Sequence, residues 1–187
     1  MADLPSRVNP LFLREEVLRQ GIELLLYAHR DFAAEADPIL HRHGLGRAHH
    51  RALHCVGRYP SISVSELLAL LGITKQSLSR VLRDLTDRRL IAVRPGTSDR
   101  RQRRLTLTEE GGALEAQLTE GQSRRLARAY RQAGAEAVEG FRTVLLNIID
   151  EADRGRFERP EAGKQSSTKL PRKVGGKPLL TKSMGQR

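Results

Sequence analysis

Ser63 to Leu85 reads S-V-S-E-L-L-A-L-L-G-I-T-K-Q-S-L-S-R-V-L-R-D-L, and this stretch decides the fold. Ser63-Val64-Ser65-Glu66 is an S-x-x-E capping box, in which a hydroxyl and a carboxylate satisfy the first unpaired backbone N–H groups of a helix. Leu67, Leu68, Leu70 and Leu71 supply the apolar residues of that helix, and Gly72 stops it after about two turns. Thr74 opens a second helix, where Leu78, Val81, Leu82 and Leu85 make one apolar stripe. Two short helices separated by Gly72-Ile73, the second apolar on its inner side alone, predict a helix-turn-helix.

The outer face of that second helix presents Lys75, Gln76, Ser77, Ser79, Arg80 and Arg83. Arg and Lys suit guanine edges, Gln suits adenine, hydroxyls suit either, and the cations suit phosphates. Any solvated helix carries polar residues outward, so the neighbouring sequence must decide. Ile91 and Val93, then Leu105 and Leu107, alternate as two short strands around a Pro95-Gly96 turn, which predicts a β-hairpin. From Arg94 to Arg104 this hairpin holds Arg94, Arg100, Arg101, Arg103 and Arg104 against Asp99 alone. So dense a cluster repels itself unless a phosphate backbone or a narrow minor groove neutralises it.

Outward from this centre the chain reads as helix. Leu11 to about Ala34 spaces Leu11, Leu18, Ile22, Leu25 and Phe32 by helical intervals. Leu13, Val17, Leu24 and Leu26 broaden the apolar surface beyond what one partner helix in a small domain requires, so part of it is expected to meet another subunit. Asp37-Pro38 and Gly44-Leu45-Gly46 break the pattern before a helix from Arg47 to about Gly57, which Tyr59-Pro60 ends. Beyond the hairpin, Thr108 caps a helix carrying Leu114, Leu118 and Leu126, and after Gly134 a last helix carries Val138, Phe141, Leu145, Ile148 and Ile149. The fold class is therefore mainly α with a small β-wing.

The run from Ser63 to Gly111 resembles the MarR (multiple antibiotic resistance regulator) family of winged helix-turn-helix proteins. Its carriers are the helix-turn-helix above, the D-x-R of the wing at Asp99-Arg100-Arg101, and the L-x-L-T-x-x-G entering the next helix, Leu105 to Gly111. Glu16 to Leu25 and Gly46 to His54 are similar to the PetP-like branch of that family. The resemblance covers about Leu11 to Asp153 and implies a triangular two-fold dimer built from the helices at about 11–34 and 108–153. Two lobes of about 47–107 would then place their recognition helices in successive major grooves. Carried onto this chain, Thr74 to Ser77, Ser79, Arg80 and Arg83 face the groove, Arg101 enters the minor groove held by Asp99, and Arg103 adds a wing contact. The family's cleft between dimer helices and DNA-binding lobe often admits a small phenolic or lipophilic effector, and His50 and His54 are its candidate lining.

The formal charge of +11 invites a polyanionic partner, but its distribution matters more than its size. Residues 154–187 hold ten Lys or Arg against Glu158 and Glu161, a net of +8, which leaves +3 for everything before them. With Gly, Pro, Ser and Gln and almost no aliphatic pattern, that segment is expected to be a disordered basic tail, 1–153 forming the folded domain. Seven aromatic residues, none of them Trp, suit helices packed through aliphatic side chains. Cys55 is the single cysteine, which excludes an intrachain disulfide. It reads as a small buried residue rather than an oxidant sensor, because reactivity needs an exposed, stabilised thiolate. Without a signal-peptide pattern or an apolar run of about 20 residues, the expected location is the cytoplasm, with no membrane contact.

His41, His43, His49, His50 and His54 crowd one region, and the i, i+4 spacing of His50 and His54 can place two imidazoles on one metal. Neither an H-E-x-x-H nor a cysteine pair nor a nearby carboxylate completes such a set, so no metal or cofactor is expected and the histidines read as polar or pocket-lining. No phosphate-cradling loop, nucleophile elbow or paired catalytic carboxylates occur either, which argues against an enzyme. The expected function is a homodimeric regulator of transcription, a repressor that reads a palindromic operator in double-stranded DNA and answers to a small-molecule, metal or redox effector. The competing expectation is an architectural protein that binds DNA without base preference. Gln76 and Ser77 argue against it, being base-reading types where charge alone would suffice.

Overall fold

The computed structural model describes residues 11–96 and 102–157. A 3-10 turn at Leu11–Leu13 leads into α1 (Glu15–Ala34), α2 (Asp37–Arg42), α3 (Arg47–Arg58), β1 (Ile62–Ser63), α4 (Val64–Leu71), α5 (Lys75–Asp87), β2 (Ile91–Pro95), β3 (Arg103–Leu107), α6 (Glu109–Ala133), α7 (Ala135–Ile148) and α8 (Glu151–Arg154). The chain divides into two compact units, the first ending at Gln132 and the second starting at Ala133.

The core of the first unit is aliphatic. Leu53 and Val56 of α3, Leu67 of α4, Leu78 and Leu85 of α5, Ile91 of β2, Leu105 of β3 and Leu118 of α6 are all but inaccessible. The predicted stripe of α5 therefore faces inward at Leu78, Val81 and Leu85, with Leu82 half-buried at its edge. Local chemistry sets the ends of the two central helices as expected. Ser63 Oγ accepts from the Glu66 N–H at 3.1 Å while the Ser63 N–H donates to Glu66 Oε2 at 2.7 Å. Gly72 closes α4 at φ +62, a left-handed conformation that costs an L side chain about 1 kcal/mol or more. Thr74 Oγ1 then caps α5 by accepting from the Ser77 N–H at 3.2 Å.

The predicted hairpin forms, with Val93 opposite Leu105 and Ile91 opposite Leu107, but Pro95, read from sequence as part of the turn, is the last residue of β2 and lies opposite Arg103; the Gly96 N–H donates to the Gln102 carbonyl at 2.8 Å. A third strand was not foreseen. β1 adds to the free edge of β3, Ile62 opposite Leu105 and Ser63 opposite Arg104, giving the antiparallel order β1-β3-β2. Two residues are too short for alternation to register, and Ser63 reads locally as a helix cap.

Asp37-Pro38, read from sequence as a break, instead starts α2. Proline is tolerated in a first helical turn, where its missing N–H would have no intrahelical partner. Residues 154–157, assigned to the tail from composition, carry order: Arg154 Nε donates to the Ile149 carbonyl at 3.0 Å, and Arg142 donates to the Phe157 carbonyl at 2.6 Å. The tail from 158 onward lies outside the described residues.

α1 buries none of its residues, and Leu18, Ile22, Leu24, Leu25, Leu26 and Tyr27 stand 42–66% exposed. Phe141, Val144 and Ile148 of α7 are likewise exposed. Among the described residues no helix is long and apolar enough to cross a membrane.

Candidate nucleic-acid interface

Because Leu78, Val81 and Leu85 hold α5 against the core, its other side must face solvent, and Lys75, Gln76, Ser77, Ser79, Arg80 and Arg83 are all exposed. Among the described residues, Lys75, Arg80 and Arg83 pair with no acid, which leaves their charge available to an external anion. Thr74 is differently placed. Its hydroxyl accepts from the Ser77 N–H and donates to Ser77 Oγ at 2.9 Å, so it is occupied at the cap while Ser77 keeps a hydroxyl proton to donate.

On the wing, Arg94 and Arg103 are exposed. Asp99, Arg100 and Arg101 lie outside the described residues. Arg104, counted from sequence among the projecting cations, turns back instead. Its guanidinium donates to the Ser61 carbonyl at 3.2 Å, to Glu66 Oε2 at 3.3 Å and to Gln102 Oε1 at 2.9 Å. Glu66 is also the carboxylate of the α4 capping box, so one arginine ties the wing root to the first helix of the helix-turn-helix. Its pairing with Ser61 and Glu66 was illegible because these two lie about forty residues upstream. Arg104→Ala is expected to cost about 1 kcal/mol, a fall of about 2–4 °C in the thermal midpoint. Arg103→Ala, with an exposed side chain, should leave the midpoint unchanged.

Behind this surface lies a cleft of about 700 Å³ within the first unit. Arg47, His50, Arg51 and His54 of α3 reach it at intervals of three, one and three residues, one face of a helix, and Phe32, Leu70, Leu71 and Leu126 supply apolar wall. Both histidines singled out from sequence therefore line a cavity. His54 Nδ1 meets Glu115 Oε1 at 3.0 Å, and Glu115 also accepts from the Thr119 hydroxyl at 2.8 Å. Cys55 is buried beside them. Among the described residues no three His, Cys, Asp or Glu side chains converge as a metal-binding group.

His50 is buried, and burial, reinforced by repulsion from His54, holds its pKa below the ordinary histidine value. The folded protein thus binds fewer protons at this ring than the unfolded chain does. The resulting penalty is absent above the unfolded value of about 6.5 and grows as pH falls below it. The thermal midpoint should accordingly drop between about pH 7.5 and 5.5, and His50→Gln should make that drop shallower. Equal slopes in the two proteins would remove His50 as its source.

Residues 43–102 match the MarR family. The chain is 49% identical over 160 residues to the HTH-type transcriptional regulator PetP of Rhodobacter capsulatus, covering 84% of this chain and 96% of that protein. Its fold is similar to the crystal structure of MarR, with a TM-score of 0.58, 24% identity, and coverage of 78% of this chain and 97% of that one. A MarR family transcription regulator gives a TM-score of 0.62 at 21% identity, covering 76% and 90% of the two chains. The near-complete span of the PetP likeness, over a helix-turn-helix whose second helix has an exposed polar and basic face, leaves one assignment: the chain belongs to the MarR family of DNA-binding transcriptional regulators, which are not enzymes.

Proposed function

We propose that this chain is a homodimeric repressor that reads a palindromic operator and releases it when a small molecule occupies the cleft behind the helix-turn-helix. The observation that carries the reading is the two-sidedness of α5. One side is locked into an aliphatic core, and the other offers Lys75, Gln76, Ser77, Ser79, Arg80 and Arg83 unburied. That combination is what a helix needs to enter a major groove and touch base edges. Arg94 and Arg103 supply phosphate contacts from the wing root, and Arg101 and Asp99 are proposed from sequence as the minor-groove reader and its holder.

The dimer follows from α1. Twenty residues that bury nothing, with Leu18, Ile22, Leu24, Leu25 and Leu26 exposed, cost free energy in water unless a second copy covers them. Two-fold symmetry then sets the half-sites about 34 Å apart, one turn of the duplex. For the effector, the cleft pairs an apolar wall with imidazole and guanidinium groups, which fits a compact, partly apolar molecule bearing a polar substituent.

Selection of bound duplexes from a random library at about 150 mM salt tests the reading, because nonspecific attraction is already weakened there. An enriched palindrome with half-sites one turn apart is the expected result. Binding without enrichment would replace it with an architectural protein that holds DNA by charge and shape.

A further inference from the structure

We propose that His49 is a positioning residue for DNA recognition: through Asp84 it fixes the roll of α5 about its own axis, and so sets where the base-reading side chains point. The inference rests on the reading that α5 enters the groove, and it adds what holds that helix at one angle.

Aliphatic packing sets which side of a helix faces inward but defines its roll only coarsely, because burial is non-directional. Leu78, Val81 and Leu85 press α5 into the core along a single stripe, which sets the side that faces inward but resists a rotation of some tens of degrees less sharply than a hydrogen bond does. Directional contacts must supply the missing constraint. At about 100° per residue, Asp84 and Arg88 fall one turn apart on one flank of α5, between the buried stripe and the exposed face of Gln76, Arg80 and Arg83. Both are tied to the segment where α2 passes into α3. His49 Nε2 meets Asp84 Oδ2 at 3.2 Å, and Arg88 donates to the His43 carbonyl at 2.7 Å.

The His49 ring is itself held. The Gly46 N–H, a donor that cannot accept, bonds to Nδ1 at 3.0 Å, so Nδ1 carries the lone pair and the neutral ring has its proton on Nε2, aimed at the Asp84 carboxylate. One imidazole thereby caps α3 and grips α5, and its side chain is only 17% exposed. A roll of about 20° would move a side-chain end about 6 Å from the axis by about 2 Å, more than a hydrogen bond to a base edge tolerates. The next residue on α3, His50, lines the cleft, so the helix that grips α5 on one face forms the wall of the candidate effector site on another.

His49→Glu separates the two jobs of the ring. Glutamate is a favourable residue three positions after a cap and can still accept from the Gly46 N–H, but it sets a second carboxylate against Asp84. The test uses the full-length dimer and the duplex recovered by selection, with a random duplex of equal length alongside. Failure of the wild type to select any duplex would sink the proposed function before a variant is made. For His49→Glu we expect operator affinity about tenfold lower, random-duplex affinity within about twofold, and a thermal midpoint lower by no more than about 4 °C. In an Asp84→Ala background the same substitution should have no further effect. Amide exchange across 75–87, measured without DNA, should be faster in His49→Glu. Unchanged exchange would show that the contact does not hold α5, and faster exchange with undiminished operator preference would show that the hold has no bearing on reading. A loss shared equally by both duplexes, or one that persists without Asp84, would mean that added negative charge acts alone, which also overturns the proposal.

Discussion

Replacing Gly111 with alanine is expected to be the most damaging glycine-to-alanine change among the described residues. A Cβ built at Gly111 would lie 1.9 Å from the Leu90 carbonyl oxygen and 2.8 Å from its carbon, both of them backbone. No rotamer relieves such a clash, so α6 must lift from the end of α5. That lift strains the contacts that dock it: Thr108 Oγ1 accepts from the Gly111 N–H at 2.9 Å and donates to the Arg89 carbonyl at 2.6 Å, while the Thr108 N–H donates to the Leu90 carbonyl at 3.2 Å. Overpacking costs about 1–3 kcal/mol and a broken cap about 1 more, so the midpoint should fall by about 4–16 °C. Gly112→Ala is the control. Its Cβ would meet nothing within 4 Å, and alanine in a helix is favoured over glycine, so the same methyl one residue on should stabilise by about 0.5–1 kcal/mol. If both variants melted alike, the close approach at Leu90 would not be real. The glycine of the L-x-L-T-x-x-G motif thus has a steric explanation, since α6 can dock against the wing only where no Cβ intervenes.

The second large effect concerns reading rather than folding. Arg80 lies on the exposed face of α5, one turn before Asp84 and in line with Gln76 and Arg83, and pairs with no acid among the described residues. Arg80→Ala should lower operator affinity by about 1–3 kcal/mol per half-site, about 5- to 150-fold, and relax preference at one base position repeated symmetrically in the operator. Random-duplex affinity should change far less, with the slope of log K against log salt shifting by no more than about 0.9 for each phosphate that Arg80 neutralises. An unaltered base preference would take Arg80 off the reading surface and make it one more phosphate cation. The thermal midpoint should not move, because an exposed, unpaired side chain contributes little to stability.

Much of the fold was legible because its signals are local. A capping box spans four residues, a stop glycine one, and an apolar stripe repeats within a turn, so the helix-turn-helix, its buried and exposed faces, and the two strands of the hairpin could be read directly from Ser63 to Leu107. The exposed residues of α5 were legible for the same reason, since a residue's side of a helix follows from its spacing to the buried stripe. The cation count of the wing was legible, but not its geometry. Arg104 belongs to that count yet spends its charge on Glu66, thirty-eight positions away.

What tertiary structure alone decided are the contacts whose partners are distant in sequence. His49 meets Asp84 across 35 residues, Arg125 meets Glu35 across 90 at 2.6 Å, and β1 finds its place only when β3 arrives beside it. A histidine three residues after a glycine looks like any other polar residue until α5 packs against it. The crowding of histidines was visible in the sequence, but whether they bind metal, line a cleft or grip a helix depends on which face of α3 each occupies and on what is folded against that face. Periodicity and capping act over a single turn and are written in adjacent residues, whereas an ion pair or a close approach exists only after the loops between its partners have closed.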